Sequence, residues 1–503
     1  MFDNLVRLAA RKLAMASMGA TAIGATLAGA PPSVSAVVFH PTVSEAVFLT
    51  SSEVPPTQLQ CQSRHRRCFN PTAEENSYNL GPLYSQGYLG QGQTIVIVDS
   101  FGSETIRHDL KVFNNAFGLP HLCGEEGTAA GCSGPKFSEL QQGNTSTNPL
   151  PGKNSTGQED RSAWALEVSL DVEWSHAMAP KANILLVTTP TAETLGVQGF
   201  PDFFKAEQDV IDQHLGSVIS QSFGSAEEAF GSTASLENLR FAFKDALANH
   251  VTVFASSGDG GTANIIKTPV KSPTLIPYPT VGFPASDPLV TAVGGTNLCT
   301  DPNVGSLGPA ATVPVNEPAA CRNNPTQREV AWAGSGGGFS HVFSRPAFQN
   351  GTVSNAMRGV PDIALQASPS TGMLVYITNP GYSGLLCPPV SAGIPCSTGW
   401  YVVGGTSSSS PQWAGLIAVA NQLNQAKHPG SPNLGYISPA LYKIASDPVK
   451  YKKDFFDVTV GNNQTDPTVP GYSAGAGWDP VTGLGTPNAA NLLPDLIKTI
   501  SGS

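Results

Sequence analysis

Three short stretches of this 503-residue chain hold residue types and spacings that suit acyl transfer. The first is Gly405-Thr406-Ser407-Ser408-Ser409-Ser410-Pro411. Glycines allow a tight turn and close approach of a substrate chain. An apolar helix beginning near Pro411 would aim its free N–H groups at Ser407, and proline is tolerated in a first helical turn. A plain Ser/Thr-rich helix cap has the same composition, so the rest of the chain must decide. A serine nucleophile needs a base. None of the nine histidines lies in a Gly-rich run; His108, His176, His214 and His250 fall in predicted helices or at their ends. Acids offer the alternative. Glu167 and Asp171 stand four apart in Ser162-Ala163-Trp164-Ala165-Leu166-Glu167-Val168-Ser169-Leu170-Asp171-Val172-Glu173-Trp174, so they share one helix face. Their apolar neighbours predict burial, repulsion and a proton held to raised pH. Glu173 reads as a solvated acid. The third stretch is Ser256-Ser257-Gly258-Asp259-Gly260-Gly261, after an apolar strand. An ionised Asp259 would repel an oxyanion, whereas a protonated one would donate a hydrogen bond to it.

These residues need a scaffold. Thr94-Ile95-Val96-Ile97-Val98, ending in Asp99, reads as a buried parallel strand. Helices are predicted at 107–117, 160–178, 202–214 and 235–249, and strands at 183–188, 218–221 and 251–255. The alternation predicts a doubly wound α/β domain with sites at the C-terminal strand ends. Residues 124–158 read as a long loop, 262–350 and 377–400 as loop-rich, and a final helix as running from Pro411 towards Gln425.

The acidic balance, −10 in formal charge, excludes nucleic acid and anionic membranes as partners. Only 13% of residues are charged, which suits acidic surroundings because few paired carboxylates must be protonated there. Arg7, Arg11 and Lys12 precede an apolar stretch, Leu13 to Ala30, and Val34-Ser35-Ala36 is a small-residue cleavage site. Residues 1–36 are therefore expected to be an export signal, with 37–77 a short polar lead-in. Eight cysteines form four local couples, 61 with 68, 123 with 132, 299 with 321 and 387 with 396, natural staples in an oxidising compartment. Sequence leaves the connectivity open. A zinc site lacks the Cys-x-x-Cys spacing it would need. Near the C-terminus, Asp457-Val458 and Gly475-Ala476-Gly477-Trp478-Asp479 combine two carboxylates with turn-forming glycines, a donor set suited to Ca²⁺.

Taken in order, these motifs resemble the serine-carboxyl peptidases, the sedolisin family, over about residues 78–495. Tyr78-Asn79-Leu80 through Gly118-Leu119-Pro120, Pro284-Ala285 with Gly294-Gly295-Thr296, Gly336 to Ser340, and Pro361-Asp362-Ile363 also resemble family segments. The resemblance implies a subtilisin-like fold, a mostly parallel central sheet flanked by helices, here with long disulfide-closed loops. It implies Ser407 as nucleophile, Glu167 as general base, Asp171 as its orienting partner and Asp259 as oxyanion stabiliser. It implies one Ca²⁺ in the 457–479 loop, held by side chains of Asp457 and Asp479 and carbonyls of Val458, Gly475 and Gly477. Asp99 and Phe223 fall where some members extend the acidic network. The expectation is a secreted, monomeric endopeptidase acting on peptides and proteins at acidic pH. Two alternatives are an ordinary subtilisin-type peptidase, which lacks its His-Gly-Thr-His run here, and a binding protein on a retired peptidase scaffold. Only about 40 residues separate the cleavage site from Tyr78, too few for the long pro-domain usual in the family.

Overall fold

The apolar run at 94–98 forms the middle of a parallel sheet, as burial on both faces requires. The computed structural model describes residues 40–41, 45–142, 158–190, 199–268, 271–312, 314, 316–378 and 397–502. In chain order, the elements that matter begin with β1 (Glu45–Thr50), β2 (Arg67–Phe69), β3 (Thr94–Ser100), α1 (Ile106–Phe117) and β4 (Phe137–Gln141). Next come α2 (Gln158–Met178), β5 (Asn183–Thr189), α3 (Phe200–Asp212), β6 (Val218–Gln221) and β7 (Thr252–Ser256). Then follow β8 (Thr291–Leu298), β9 (Glu329–Ala331), β10 (Ile363–Gln366), β11 (Thr371–Ile377) and β12 (Gly399–Gly404). The last are α4 (Thr406–Lys427), α5 (Ser438–Ala445), α6 (Pro448–Asp454) and α7 (Ala489–Ser501).

The main sheet runs β9-β8-β7-β6-β3-β5-β4, with β10 also paired to β8. Every pairing in it is parallel except β8 with β9. Alternate residues of β3 face opposite layers. Ile95 and Ile97 join the cluster built on Val168 and Val172 of α2 and Trp413 and Ile417 of α4. Val96 and Val98 join Phe203 and Phe204 of α3. This is the subtilisin-like α/β arrangement the motifs imply.

The structure departs from the sequence reading in several places. The stretch 45–77 is an integral part of the fold. β1 pairs with β12, and β2 with β11, in a second sheet ordered β1-β12-β11-β2. The expected loop at 124–158 contains β4, an edge strand whose residues are mostly exposed and so carry no apolar alternation. The helix expected over 235–249 is two shorter ones, Thr233–Glu237 and Phe241–Ala248. The last long helix starts at Thr406 rather than Pro411, and α5, α6 and α7 follow it. Pro411 therefore lies inside α4, where its ring removes the N–H that would bond the Ser407 carbonyl. Disulfides join Cys61 to Cys68, Cys123 to Cys132 and Cys299 to Cys321. The couple Cys387 and Cys396, and the signal segment 1–36, lie outside the described residues. Among the described residues, no helix is long and apolar enough to cross a membrane.

Candidate active site

Ser407 sits in the first turn of α4, fully buried, just after Gly405. Gly405 has φ +138°, a backbone conformation a side chain would strain. The three serines that follow turn to the scaffold. Ser408 Oγ donates to the Gln366 carbonyl at 3.0 Å, and so does Ser409 Oγ. Ser410 Oγ pairs with Ser220 Oγ of β6 at 2.8 Å. Trp413 Nε1 donates to the Ala364 carbonyl of β10 at 3.1 Å. These bonds lock α4 against β6 and β10 and fix where Ser407 stands.

α2 supplies the acids. Glu167 and Asp171 are both fully buried, and α2 packs directly on α4. The approach is close at Gly415, where an added Cβ would stand 2.7 Å from Met178 Cβ and 3.2 Å from the Ser175 carbonyl. The Ser407 hydroxyl acts on Glu167 as a hydrogen-bonding neighbour, although no bond of strict geometry ends on either Glu167 oxygen. Asp171 Oδ2 accepts from Ser222 Oγ at 2.7 Å. Ser222 follows directly on β6, and the next residue, Phe223, is anchored in the core with its ring 4.3 Å from that of Phe203. Asp99, near the end of β3, is buried with neither carboxyl oxygen bonded.

Asp259 lies three residues beyond β7, half-buried, on the loop facing the start of α4. Its Oδ1 accepts both the Thr406 N–H at 2.7 Å and the Thr406 hydroxyl at 2.9 Å. The Gly258 N–H donates to the same hydroxyl at 3.0 Å. Oδ2 is buried and has no partner. Glu167, Asp171, Asp99 and Asp259 thus form one acidic cluster beside the start of α4.

The electrostatics follow from burial. Burial holds Glu167 well above the usual carboxylate range; Asp99 and Asp259 raise it further, while the Ser407 and Ser222 hydroxyls oppose them. Burial does the same to Asp171, reinforced by Asp99 and then Glu167 and opposed by Ser222. Asp99 is pushed up to about 8 by burial. Asp259 is pushed up to about 7 by burial, against the two bonds from Thr406. Four neighbouring acids cannot all ionise together, so the cluster sheds its protons in succession, each at higher pH than the last.

Glu173 is a correction. It is fully buried, and its Oε2 accepts the Tyr376 N–H at 3.1 Å. α2 is enclosed on all sides from Trp164 on, so it has no wet face to carry a solvated acid. Thr406 and Ser222 had no role in the sequence reading. Thr406 adjoins the serine motif, which was a usable signal; Ser222 has no signature of its own.

In the 457–479 loop, Asp457 and Asp479 each accept hydrogen bonds from loop glycines. The Gly477 N–H donates to Asp457 Oδ1 and Oδ2 at 3.2 and 3.1 Å, and the Gly475 N–H to Asp479 Oδ2 at 3.2 Å. The Tyr451 hydroxyl donates to Asp457 Oδ1 at 3.0 Å and feels the charge of both acids. Among the described residues neither acid has a Lys or Arg partner. Two carboxylates held close without a cation, among oxygen donors, fit a hard metal ion in kind. No cluster of three or more His, Cys, Asp or Glu side chains that could hold a metal occurs among the described residues.

No protein-family model matches the chain. It is 28% identical to kumamolisin of Bacillus sp. (strain MN-32) over 460 residues, which cover 88% of this chain and 66% of that protein. It is 29% identical to tripeptidyl-peptidase 1 of Homo sapiens over 359 residues, covering 68% of this chain and 53% of that protein. Among solved structures, Pseudomonas sedolisin (a serine-carboxyl proteinase, complexed with two molecules of pseudo-iodotyrostatin) superposes with a TM-score of 0.60 at 24% identity, over 85% of this chain and 98% of that one. The chain is thus similar in sequence to kumamolisin and tripeptidyl-peptidase 1, and in fold to a serine-carboxyl proteinase, a sedolisin. The sedolisin likeness carries the fold: a mostly parallel central sheet between helices. The chain spans between about half and two thirds of the length of the curated relatives it matches.

Proposed function

We propose that the chain is a secreted serine-carboxyl endopeptidase that hydrolyses peptide bonds at acidic pH. The observation that carries this reading is the setting of Ser407. Its hydroxyl neighbours Glu167, and the charged groups acting on Glu167 are acids. Glu167 takes the Ser407 proton as the hydroxyl attacks the peptide carbonyl, and Asp171 holds the shared charge in place. The oxyanion meets a proton on Asp259 Oδ2, the oxygen that Thr406 leaves unused. Glu167 returns its proton to the leaving amine, and water resolves the acyl-enzyme. One chain holds all four groups, which supports action as a monomer.

Export is supported by the basic and apolar N-terminal pattern and by the disulfides. The Asp457 and Asp479 side chains with the Val458, Gly475 and Gly477 carbonyls would hold Ca²⁺, whose role would be to neutralise the two acids and stiffen the loop.

The test is peptide-library cleavage read by mass spectrometry across pH. Internal cleavage with an optimum below neutral supports the reading. An optimum at about pH 8 to 9, where Asp259 would no longer hold its proton, would sink it.

A further inference from the structure

We propose that Ser222 is a positioning residue for proton transfer, its hydroxyl holding Asp171 beside Glu167 and able to pair with a carboxyl in either protonation state. The inference rests on the Ser407–Glu167 reading above and extends it to a residue outside the four catalytic positions.

The geometry comes first. Ser222 is fully buried, next to the C-terminal end of β6. Its Oγ donates to Asp171 Oδ2 at 2.7 Å, and it also acts on Glu167 as a hydrogen-bonding neighbour. Asp171 Oδ1 and both Glu167 oxygens have no other bond of strict geometry. Among the described residues, Ser222 is therefore a hydroxyl that lies beside both Glu167 and Asp171. Phe223, wedged among Phe200, Phe203 and Phe204, and the Ser256 hydroxyl on the Gln221 carbonyl at 3.4 Å hold the backbone on either side.

The chemistry follows from what a hydroxyl can do. Catalysis carries Glu167 from ionised to neutral and back. A cation beside it would favour only the ionised form. A hydroxyl donates to a carboxylate and accepts from a carboxylic acid, so it serves both. The charged groups that face the pair are all acids: Asp99 from β3, Asp259 from the loop after β7, and Glu167 and Asp171 themselves. With no cation among the described residues that act on the pair, hydroxyls hold the first negative charge. Ser407 is consumed by the reaction as its oxygen becomes the ester, so Ser222 is the hydroxyl that remains. Its hydroxyl lowers both acids, through its bond to Asp171 and its nearness to Glu167, so removing it raises them and shrinks the ionised fraction of the base at a given pH.

The experiment measures kcat and kcat/KM of the full chain on a fluorogenic peptide it cleaves, from about pH 3 to about pH 8, for Ser222→Ala, Ser222→Cys and Ser222→Thr. Ser222→Ala is expected to move the acid limb up by about one pH unit and lower kcat about tenfold, the effect of one hydrogen bond to a charged group. The alkaline limb, set by Asp259, should stay. Ser222→Thr, which keeps the hydroxyl, should restore the acid limb. Ser222→Cys, a poor donor of similar size, should behave as Ser222→Ala and covers the case in which alanine does not fold. An acid limb that overlays wild type in the alanine or cysteine variant overturns the proposal, and so does a threonine variant that titrates like alanine. Ser407→Ala runs beside them. If it retains turnover, the underlying reading has failed; if it is inactive while Ser222→Ala titrates as wild type, only the role of Ser222 has.

Discussion

Thr406 bonds Asp259 twice through a single oxygen: its N–H and its hydroxyl both reach Oδ1, at 2.7 and 2.9 Å. The bonds orient the carboxyl and leave Oδ2 buried and without a partner. Asp259 titrates at about 7, and only its neutral form donates. Activity should therefore fall as pH rises through about 7. Asp259→Asn keeps a donor that does not titrate, so its rate should persist at higher pH. Asp259→Ala should lose about 10²- to 10³-fold in kcat, the range for one oxyanion donor. Steady-state pH profiles of the three proteins check this.

Close packing of α2 on α4 predicts a different failure. Gly415→Ala places a methyl 2.7 Å from Met178 Cβ. Overpacking of this kind costs about 1–3 kcal/mol. The variant should melt lower, and its kcat should drop further than its stability implies because Ser407 moves away from Glu167. Thermal unfolding and kcat measured on the same preparation separate the two effects.

Stability should depend on pH through acids outside the site. Glu207 on α3 is fully buried, has no bonded oxygen, and is held well above its usual range by burial. Glu173 is raised by burial and then by Asp109. A folded-state pKa above the unfolded value means that the folded chain holds the proton more tightly. Such groups leave stability intact below the unfolded value, about 4, and erode it as pH rises through their folded values. The chain should therefore melt higher at about pH 4 than at about pH 7. Glu207→Gln should raise Tm at the higher pH and change little at the lower. Equal shifts at both would contradict the linkage.

Much of this site was legible because chemistry concentrates at strand ends and tight turns. Val218–Gln221 was read to the residue, and Asp99 and Asp259 were placed by the strands before them. The start of α4 was misread because proline is commonest at a first turn, whereas Pro411 sits in the second. Glu173 was misread because a helix enclosed on every side has no polar stripe to reveal a face. β1 and β2 were missed because their partners, β12 and β11, lie some three hundred residues away, and non-local pairing leaves no local pattern.

The metal loop has its own test. Removing a bound Ca²⁺ with EDTA should lower Tm, since a ligand held only by the folded state stabilises it. Asp457→Asn should melt lower without EDTA and respond less to it, because one of the two carboxylates is gone. Calorimetry in both buffers checks this; an unchanged wild-type Tm would count against an occupied site.

The central claim is that Ser407 is activated by a carboxylate. The most direct measurement is kcat/KM on a cleaved peptide for Ser407→Ala and Glu167→Gln, with Tm recorded for each. Both should lose about 10³-fold or more while remaining folded, as when one member of a nucleophile–base pair is removed. Turnover within a few fold of wild type in a folded Glu167→Gln would contradict the account.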